Sequence, residues 1–489
     1  MRRKDLQEAR SESGDAARPF DPTLSRRALL GGFTTGLASI ALGTLLQRDA
    51  AASGSVPRAA PPHFPPRAKR VIYLTMNGGT SQIDLLDPKP ELVKRNGELC
   101  PDELFVGKPL AFIRERPVLL GSPYRFSRVG RSGLEVSEML PSFGQIADDV
   151  TVIRSMQSDE FNHTPAELQL LTGLGRFGRP SLGSWVSYGL GSENQDLPAF
   201  VALLATPGQP PSGSASWGAG FLPSRHQGVE LRGEGPPVLF LSNPPGVSAE
   251  GQRASIDVVN QLNRMRLERS QDDQIATRIA QYELAYRMQM SVPEATDIWS
   301  EPPEIHEMYG TTPGTLSFAN QCLLARRLAE RDVRFIQIFH PAWDHHAAIY
   351  NLLPVSCSAI DRPMAALVRD LRQRGLLEDT LVVWATEFGR TPMAQDKDNS
   401  GVHSPAGRDH QRDAFTIWMA GGGVKAGFVH GETHELGHTV TGHPVHVHAL
   451  NAALLRLLGI DHKQLVYRYQ GREFRVTDVA GEVVHEILA

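Results

Sequence analysis

The chain has 489 residues, with 50 lysines and arginines, 54 acidic residues and a formal net charge of -4. Because the basic residues are dispersed, the composition argues against a nucleic acid partner and gives no electrostatic attraction to acidic membranes. The three cysteines, Cys100, Cys322 and Cys357, are too few for a disulfide framework. The length is sufficient for one large domain with a substantial core.

The N-terminal segment has the pattern of an export signal. Residues 1–27 are rich in charge and end in Arg26 and Arg27, an uncharged apolar run covers 28–46, and small residues follow at 50–53. This order predicts a twin-arginine signal peptide over residues 1–52, and therefore export to the periplasm or cell envelope. The apolar run is also long enough to span a bilayer, so retention as a membrane tether is the alternative.

The rest of the chain predicts a linker and one folded domain. Residues 53–69 are rich in proline, which is typical of an extended linker, and residues 70–489 are expected to fold as a single domain. Apolar runs predict strands over 70–76, 149–154, 199–205, 333–339, 380–386 and 414–419. Three-to-four spacing predicts helices over 165–172, 181–190, 315–331, 360–374 and 447–458. This alternation predicts an α/β fold with a mostly parallel central sheet and helices on both faces.

Two stretches within residues 206–295 interrupt the alternation and predict an insertion over the sheet. Residues 207–223 are dense in Gly, Pro and Ser, and residues 254–290 are polar with a helical pattern. Because long loops in compact domains often act as lids, Trp217 and Phe221 are candidates to cover a substrate. The alternative is a solvent-exposed excursion with two packed aromatic side chains.

Glu387 lies at the end of the predicted strand 380–386 and is followed by Gly389 and Arg390. Ligands of open α/β sheets bind outside the carboxyl ends of the strands, so Glu387 is a candidate functional acid. The planar guanidinium of Arg390 suits the oxygens of sulfate or phosphate. The alternatives are a helix N-cap or loop acid for Glu387 and a salt bridge for Arg390.

Histidines are concentrated toward the C-terminus, where thirteen of the seventeen lie at or after position 340. Imidazole and carboxylate are the ligands that Zn²⁺, Mn²⁺ and Fe centres prefer. Asp344, His345 and His346 follow the predicted strand 333–339, and they converge with Glu387 if the two strands are neighbours. His410 precedes the strand 414–419, so it is expected at the opposite end of that strand unless its loop folds back.

Two further segments offer candidate contacts. The first predicted strand ends in Asn77 and two glycines, with Ser81 close behind, and the glycines allow a ligand to approach the backbone. Asn77 is either an oxygen ligand or donor for a substrate, or one half of an ordinary Asn-Gly turn. His163 and Thr164 open a predicted helix, whose N-terminus can hold an anion, and both are candidate catalytic residues. Thr164 with Glu167 also forms the pattern of a capping box, which requires no catalysis.

Several longer motifs resemble the exported domain-of-unknown-function family 1501 from about residue 70 to the C-terminus. They are Met76-Asn-Gly-Gly79, Asp87-Pro-Lys-Pro90, Trp343-Asp-His-His346, Glu387-Phe-Gly-Arg-Thr-Pro392, Gly407-Arg-Asp-His410 and Gly421-Gly-Gly-Val-Lys425. That family looks like a branch of the alkaline phosphatase and sulfatase superfamily. Residues 163–173 are similar to the sulfatase signature, and residues 383–389 are similar to the superfamily strand that ends in Asp-His-Gly.

The chain also departs from the superfamily pattern. His163 stands where a sulfatase has its Cys or Ser, so the resemblance excludes a formylglycine mechanism. Asn77 stands in place of a metal-binding Asp, and Glu387 with Phe388 stands in place of Asp-His. The resemblance therefore implies an alkaline phosphatase or sulfatase-like fold with an altered or reduced metal site.

Two functions follow from this resemblance. The first is a metal-dependent hydrolase of phosphate or sulfate esters on a small molecule or glycan, in which Asn77 or Arg390 stabilises charge and water or Thr164 attacks. Its divalent metal (Zn, Mn, Ca or Fe) would be held by Asp344, His345, His346, Glu387 and His410. The second is a catalytically inactive cell-envelope protein that binds an anionic glycan or a partner, which the loss of the superfamily nucleophile favours.

Overall fold

The computed structural model describes residues 61–108, 110–233, 247–270, 273–395 and 406–489. The predicted signal peptide over 1–52 and the predicted linker up to residue 60 lie outside these ranges. The last part of that linker is anchored, because Phe64 N donates to Gly459 O at 3.0 Å and Ala68 N to Leu457 O at 2.9 Å. Within the described ranges, no helix has both the length and the apolar character that crossing a bilayer requires.

The strands are short and end close to the predicted boundaries. In chain order they are β1 (Arg70–Met76), β2 (Phe126–Val129), β3 (Leu134–Ser137), β4 (Val150–Gln157), β5 (Phe200–Leu204), β6 (Val229–Leu231), β7 (Phe335–His340), β8 (Thr380–Ala385), β9 (Gly389–Arg390), β10 (His410–Gln411), β11 (Phe415–Ala420), β12 (Phe428–His430), β13 (Glu432–Thr433), β14 (Val440–Gly442), β15 (Val445–His446), β16 (Tyr467–Tyr469) and β17 (Arg472–Phe474).

The helices lie between these strands. In chain order they are α1 (Gln82–Leu85), α2 (Pro90–Lys94), α3 (Asp102–Phe105), α4 (His163–Thr172), α5 (Leu182–Leu190), α6 (Ala249–Ser270), α7 (Asp273–Thr296), α8 (Pro303–Tyr309), α9 (Phe318–Glu330), α10 (Ile349–Gln373) and α11 (Val447–Leu457). Helix α10 begins well before the predicted position 360 and contains Pro354 and Pro363.

One nine-stranded sheet forms the centre of the fold, in the order β12-β4-β11-β8-β1-β7-β5-β6 with β15 added beside β4. The pairs that β1 makes with β7 and β8 are parallel, as are those of β5 with β6 and β7, and those of β4 with β12 and β15. Strand β11 is antiparallel to both of its neighbours, β4 and β8. The predicted α/β fold with a mostly parallel central sheet is therefore confirmed.

Both faces of the sheet are covered by helices, as predicted. Ile72 and Leu74 of β1 belong to one apolar cluster, which includes residues of α9 and α10. Val71 and Tyr73, which alternate with them along the strand, belong to a second cluster with residues of α4, α5 and α11. Because successive side chains of a strand point to opposite faces, a strand buried on both sides has the continuous apolar sequence seen in β1.

The direction and order of the strands decide which loops meet. Strands β7 and β8 are not neighbours, because β1 lies between them. The expectation that Asp344 and Glu387 converge because their strands are adjacent is therefore wrong. The loops after β1, β7 and β8 nevertheless share one edge, since these strands are parallel. Strand β11 runs the other way, and its first residues therefore lie at that same edge. Residue His410 reaches this edge for that reason.

The segment 206–296 contains a loop and a pair of long helices. Helices α6 and α7 contact each other, with Arg253 Nη1 2.9 Å from Glu283 Oε2. Trp217 is 3% exposed and packs on Phe339, and Phe221 stacks on Tyr469 at 5.2 Å between ring centroids. The idea that these two aromatic residues form a substrate lid is therefore wrong, and the alternative of packed aromatic side chains holds.

Candidate metal centre

Four side chains from four segments converge at this edge of the sheet: His163, Asp344, His346 and His410. One ligand atom from each lies within 4.8 Å of all the others. Asp344 Oδ1 is 2.7 Å from His346 Nε2, 3.2 Å from His163 Nε2 and 3.4 Å from His410 Nε2. The Nε2 atoms of His346 and His410 are 2.9 Å apart. We call these four residues the histidine cluster.

The loop that carries two of the cluster residues includes backbone conformations that are unfavourable for residues other than glycine. Asp344 and His346 lie on the loop between β7 and α10, which is flanked by Ala342 and Ala348 with φ of 78° and 49°. Alanine in this left-handed region is unfavourable, so the surrounding contacts hold the loop in place. Such local strain is common where a loop positions functional groups.

Two glycines allow this loop to approach its neighbours. A Cβ at Gly78, whose φ is 120°, would lie 2.5 Å from Asp344 N. A Cβ at Gly407 would lie 2.1 Å from the carbonyl carbon of His346. Both distances are shorter than any tolerated contact, so residues without a side chain are needed at these two points. Close packing against this loop therefore explains why glycine occupies a position shortly after β1 and a position shortly before β10.

His163 and His410 reach the cluster from the other side. His163 is the first residue of α4, and His410 pairs with Arg390 in the two-residue ladder of β9 and β10. The ring of Phe388 stacks on His410 with 4.3 Å between centroids. Phe388 therefore packs against a histidine that another segment supplies.

Each imidazole of the cluster is fixed through its other nitrogen. His163 Nδ1 donates to Glu387 Oε1 at 2.8 Å, His346 Nδ1 to Gln395 Oε1 at 2.6 Å, and His410 Nδ1 to Phe161 O at 2.6 Å. A ring nitrogen that faces an oxygen acceptor carries the proton, so the lone pair of each neutral ring is on Nε2. All three Nε2 atoms then face a common point beside Asp344 Oδ1, as the ligating nitrogens of histidines do around a metal.

The electrostatics of the cluster favour a positive charge at its centre. His163 Nε2 is buried and forms no directed hydrogen bond. Burial lowers the pKa of His163, but the carboxylates of Asp344 and Glu387 outweigh this effect and raise it to about 9. Burial raises the pKa of Asp344, and its contacts with the cluster histidines and Arg390 bring it far below the usual value. Three imidazoles and one carboxylate that share a centre in this way fit a divalent metal.

Glu387 and His345 lie outside the four-residue cluster. Glu387 is fully buried, and its Oε1 accepts hydrogen bonds from Gly78 N and His163 Nδ1, each at 2.8 Å. His345 points toward α10, where its Nε2 is 3.3 Å from Ser356 Oγ, and burial lowers its pKa to about 4. The structure thus brings together Asp344, His346 and His410 of the five predicted ligands, and adds His163.

Arg390 is completely buried beneath the cluster. Its Nη2 donates to Asp344 Oδ1 at 2.6 Å, and its other contacts are backbone carbonyls. Those carbonyls belong to Gly78, Gly79, Trp343 and Arg408. The guanidinium therefore ties three loops together and orients the carboxylate of Asp344.

Asn77, Ser81 and Thr164 take separate positions. Asn77 Nδ2 donates to Glu167 Oε1 at 2.9 Å, while its Oδ1 is buried without a hydrogen bond. Ser81 Oγ donates to Asp84 Oδ2 at 2.5 Å and is nearly fully buried. Thr164 Oγ1 donates to Pro211 O at 3.2 Å. The hydroxyls of Ser81 and Thr164 are thus engaged with protein acceptors.

The predicted capping box does not form. Helix α4 begins at His163 with Asn162 in the N-cap position, so Thr164 already lies within the helix. Glu167 does not turn back to the helix start; its carboxylate accepts hydrogen bonds from Asn77, from the backbone and hydroxyl of Ser212, and from Ser216. Burial, with the charge of Glu387 nearby, raises the pKa of Glu167 to about 7.

Sequence patterns do not reveal three groups that complete the site. They are the carbonyl of Phe161, the amide of Gln395, and the ring of Phe112, which lies edge-on to His346 with 4.6 Å between centroids. A backbone carbonyl has no residue signature, and Gln395 and Phe112 belong to no motif of metal sites. Only the folded arrangement identifies them.

The structure is similar to several proteins of known structure. Among them are PsFucS1 sulfatase from Pseudoalteromonas sp. (13% identity, 81% of this chain and 68% of the other covered, TM-score 0.34), lipoteichoic acid synthase LtaP from Listeria monocytogenes (8%, 89% and 80%, 0.37) and alkaline phosphatase from the Antarctic bacterium TAB5 (11%, 73% and 92%, 0.29). Likeness at this level assigns no activity or substrate.

No curated protein matches the sequence significantly. Residues 68–488 match the family described as "Protein of unknown function (DUF1501)". This match covers nearly all of the described chain and agrees with the motifs noted in the sequence. The chain therefore belongs to the DUF1501 family.

Proposed function

We propose that this protein is an exported, metal-dependent hydrolase of phosphate or sulfate esters carried by a small molecule or a glycan. The observation that carries the proposal is the convergence of three Nε2 atoms on Asp344 Oδ1, at 2.7 to 3.4 Å. The opposite nitrogen of each ring is held by a protein acceptor. Such second contacts fix ligand histidines in metal sites.

The donor set limits the choice of metal. We propose that His163, His346, His410 and Asp344 hold it. Three imidazoles with one carboxylate suit Zn²⁺, Mn²⁺ or Fe, whereas Ca²⁺ takes oxygen ligands. A divalent metal bound there supplies polarisation of an ester oxygen and activation of water.

The protein groups around the centre have separate tasks in this proposal. Glu387 orients His163, and Arg390 orients Asp344, so both are positioning residues. The side chain of Asp344 is 46% exposed and that of His346 is 22% exposed, which leaves the centre open to a substrate from one side. Because the Thr164 hydroxyl donates to Pro211 O, we propose that water rather than Thr164 attacks the ester.

Export through the twin-arginine route is also part of the proposal. It rests on Arg26 and Arg27 ahead of the apolar run 28–46. Replacing both arginines with lysine should retain the full-length chain in the cytoplasm, as measured by cell fractionation and immunoblotting. Equal export of the paired lysine variant and the wild type would contradict this route.

The activity is tested with protein purified without chelators and loaded separately with Zn²⁺, Mn²⁺ or Fe²⁺. We expect hydrolysis of aryl phosphates or aryl sulfates by at least one form, and a loss of at least about 100-fold in kcat/KM for His346→Ala, because removing a catalytic contact typically costs several kcal/mol. His485→Ala, which replaces an exposed histidine outside the cluster, is the matched control. Equal rates for His346→Ala and wild type would show that the observed hydrolysis does not come from this centre.

A second candidate function is anion or glycan binding without catalysis. It is favoured by the burial of Arg390, whose guanidinium is engaged with Asp344 and backbone carbonyls. The hydroxyls of Ser81 and Thr164, the two candidates nearby, also donate to protein acceptors. A stoichiometric metal together with anion binding and no turnover on any ester of the panel would identify this second function.

A further inference from the structure

Phe112 is an exposed aromatic residue at the rim of the histidine cluster. It is 54% exposed, although aromatic side chains favour burial. The ring is edge-on to His346 at 4.6 Å and to His410 at 5.7 Å between centroids. An apolar ring therefore faces solvent directly beside two of the proposed metal ligands.

The backbone of Phe112 is fixed by a buried carboxylate. Phe112 N and Ile113 N donate to Asp409 Oδ2 at 2.8 and 3.1 Å. The other oxygen of Asp409 accepts a hydrogen bond from His410 N at 2.8 Å. One buried side chain thus holds both the rim residue and the cluster histidine. The position of the ring relative to the centre is therefore set by the fold.

The neighbouring residues show that Phe112 is not needed to close the apolar core beneath it. Ile113 is 7% exposed and belongs to a small core cluster with Leu104 and Leu119. The face of His410 is already covered by Phe388, at 4.3 Å between centroids. Phe112 adds an outward apolar surface to the open side of the centre, where the Asp344 side chain is 46% exposed.

We propose that Phe112 determines specificity by stacking on a ring in the organic part of the ester, either an aryl group or the apolar face of a sugar. The anionic group of the same molecule then lies at the metal centre. This inference rests on the proposed function of that centre, and it adds the class of substrate: an ester in which the anion is attached to, or one carbon away from, a ring with an apolar face. Aromatic rings favour such stacked contacts beyond the area they bury.

Three ligands with the same anion test the inference by isothermal titration calorimetry of the Zn²⁺-loaded full chain. Phenyl phosphate carries an aryl ring, glucose 6-phosphate carries a sugar ring, and methyl phosphate carries neither. We expect at least one ring-bearing ligand to bind about 10-fold more tightly than methyl phosphate, the size of effect that stacking and ring burial provide. The two ring-bearing ligands distinguish an aryl from a sugar preference.

The variants separate stacking from indirect effects. Phe112→Ala and Phe112→Leu should lose the ring preference, whereas Phe112→Trp should keep it. Zinc affinity should not change in these variants, because none removes a proposed ligand. Phe177→Ala is the matched control, since Phe177 is 65% exposed and lies beyond the C-terminal end of α4.

Three outcomes would overturn the inference. They are a ring preference that survives in Phe112→Ala, an equal loss of affinity for all three ligands in that variant, and binding of none of them by the zinc-loaded wild type. Failure of the proposed function is read separately, from metal content and turnover. If Phe112→Ala loses the ring preference but the wild type hydrolyses no ester, the ring contact is supported and the proposed hydrolase activity is refuted.

Discussion

Replacing His346 should weaken metal binding, whereas replacing His345 should leave it unchanged, although the two residues are adjacent in sequence. The Nε2 of His346 is 2.7 Å from Asp344 Oδ1 and 2.9 Å from His410 Nε2. The Nε2 of His345 is instead 3.3 Å from Ser356 Oγ of α10. The pair therefore provides a ligand and a matched control of the same residue type on the same loop.

The size of the two effects follows from these contacts. Substitutions that only remove the outer partner of a ligand cost about 10- to 100-fold in metal affinity, so loss of His346 itself should cost at least about 100-fold, or about 2.7 kcal/mol. His345→Ala removes a buried side chain and one weak contact. It should lower the free energy of unfolding by about 1–3 kcal/mol and leave the metal affinity unchanged.

Zinc affinity is measured by competition with a chromophoric chelator, and stability by urea unfolding of the apo protein. Wild type and His345→Ala should compete equally for zinc, while His346→Ala should release it to the chelator. The reasoning is refuted if His346→Ala retains wild-type affinity, or if His345→Ala loses zinc as readily as His346→Ala does while still folded.

Further variants probe the surroundings of the centre. Glu387→Ala removes the acceptor of His163 Nδ1 and should weaken zinc binding about 10- to 100-fold in the same competition assay; unchanged affinity contradicts this. Burial raises the pKa of Glu167 from 4.5 to about 7, so the folded state retains a proton that the unfolded chain releases. This contribution to stability is complete below about pH 4.5 and falls by about 3 kcal/mol as the pH rises to about 7. Urea unfolding across that window should show a smaller fall for Glu167→Gln, and equal falls refute the assignment. Asp84→Asn leaves buried Arg408 without its partner at 2.9 Å and should cost about 3–5 kcal/mol in calorimetric unfolding; a loss under about 1 kcal/mol contradicts the burial argument.

The fold was predictable because strand-length apolar runs alternate with helical periodicity. Strand β1, buried on both faces, has the uninterrupted apolar sequence typical of a central parallel strand. The direction of β11 has no such signature, since an apolar run reads the same for a parallel and an antiparallel strand. For this reason the sequence could not place His410, which reaches the centre only because β11 is antiparallel to β8.

The composition of the site was predictable only in part. Acidic and histidine residues at strand ends marked the region, but spacing could not distinguish His345 from His346, because both lie on one irregular loop without a fixed side-chain period. His163 and Glu167 follow the pattern of a helix start, which predicted capping and concealed their tertiary contacts. Their partners, Glu387 and Asn77, come from other strand ends and are known only once the sheet is assembled.

The central claim is that His163, Asp344, His346 and His410 hold one divalent metal. Anomalous diffraction at the zinc edge from crystals of the zinc-loaded protein tests it most directly. We predict a single strong peak at the centre of these four residues, about 2.0–2.2 Å from the Nε2 atoms and from an Asp344 oxygen. No peak there, with zinc bound elsewhere or not at all, would contradict the claim.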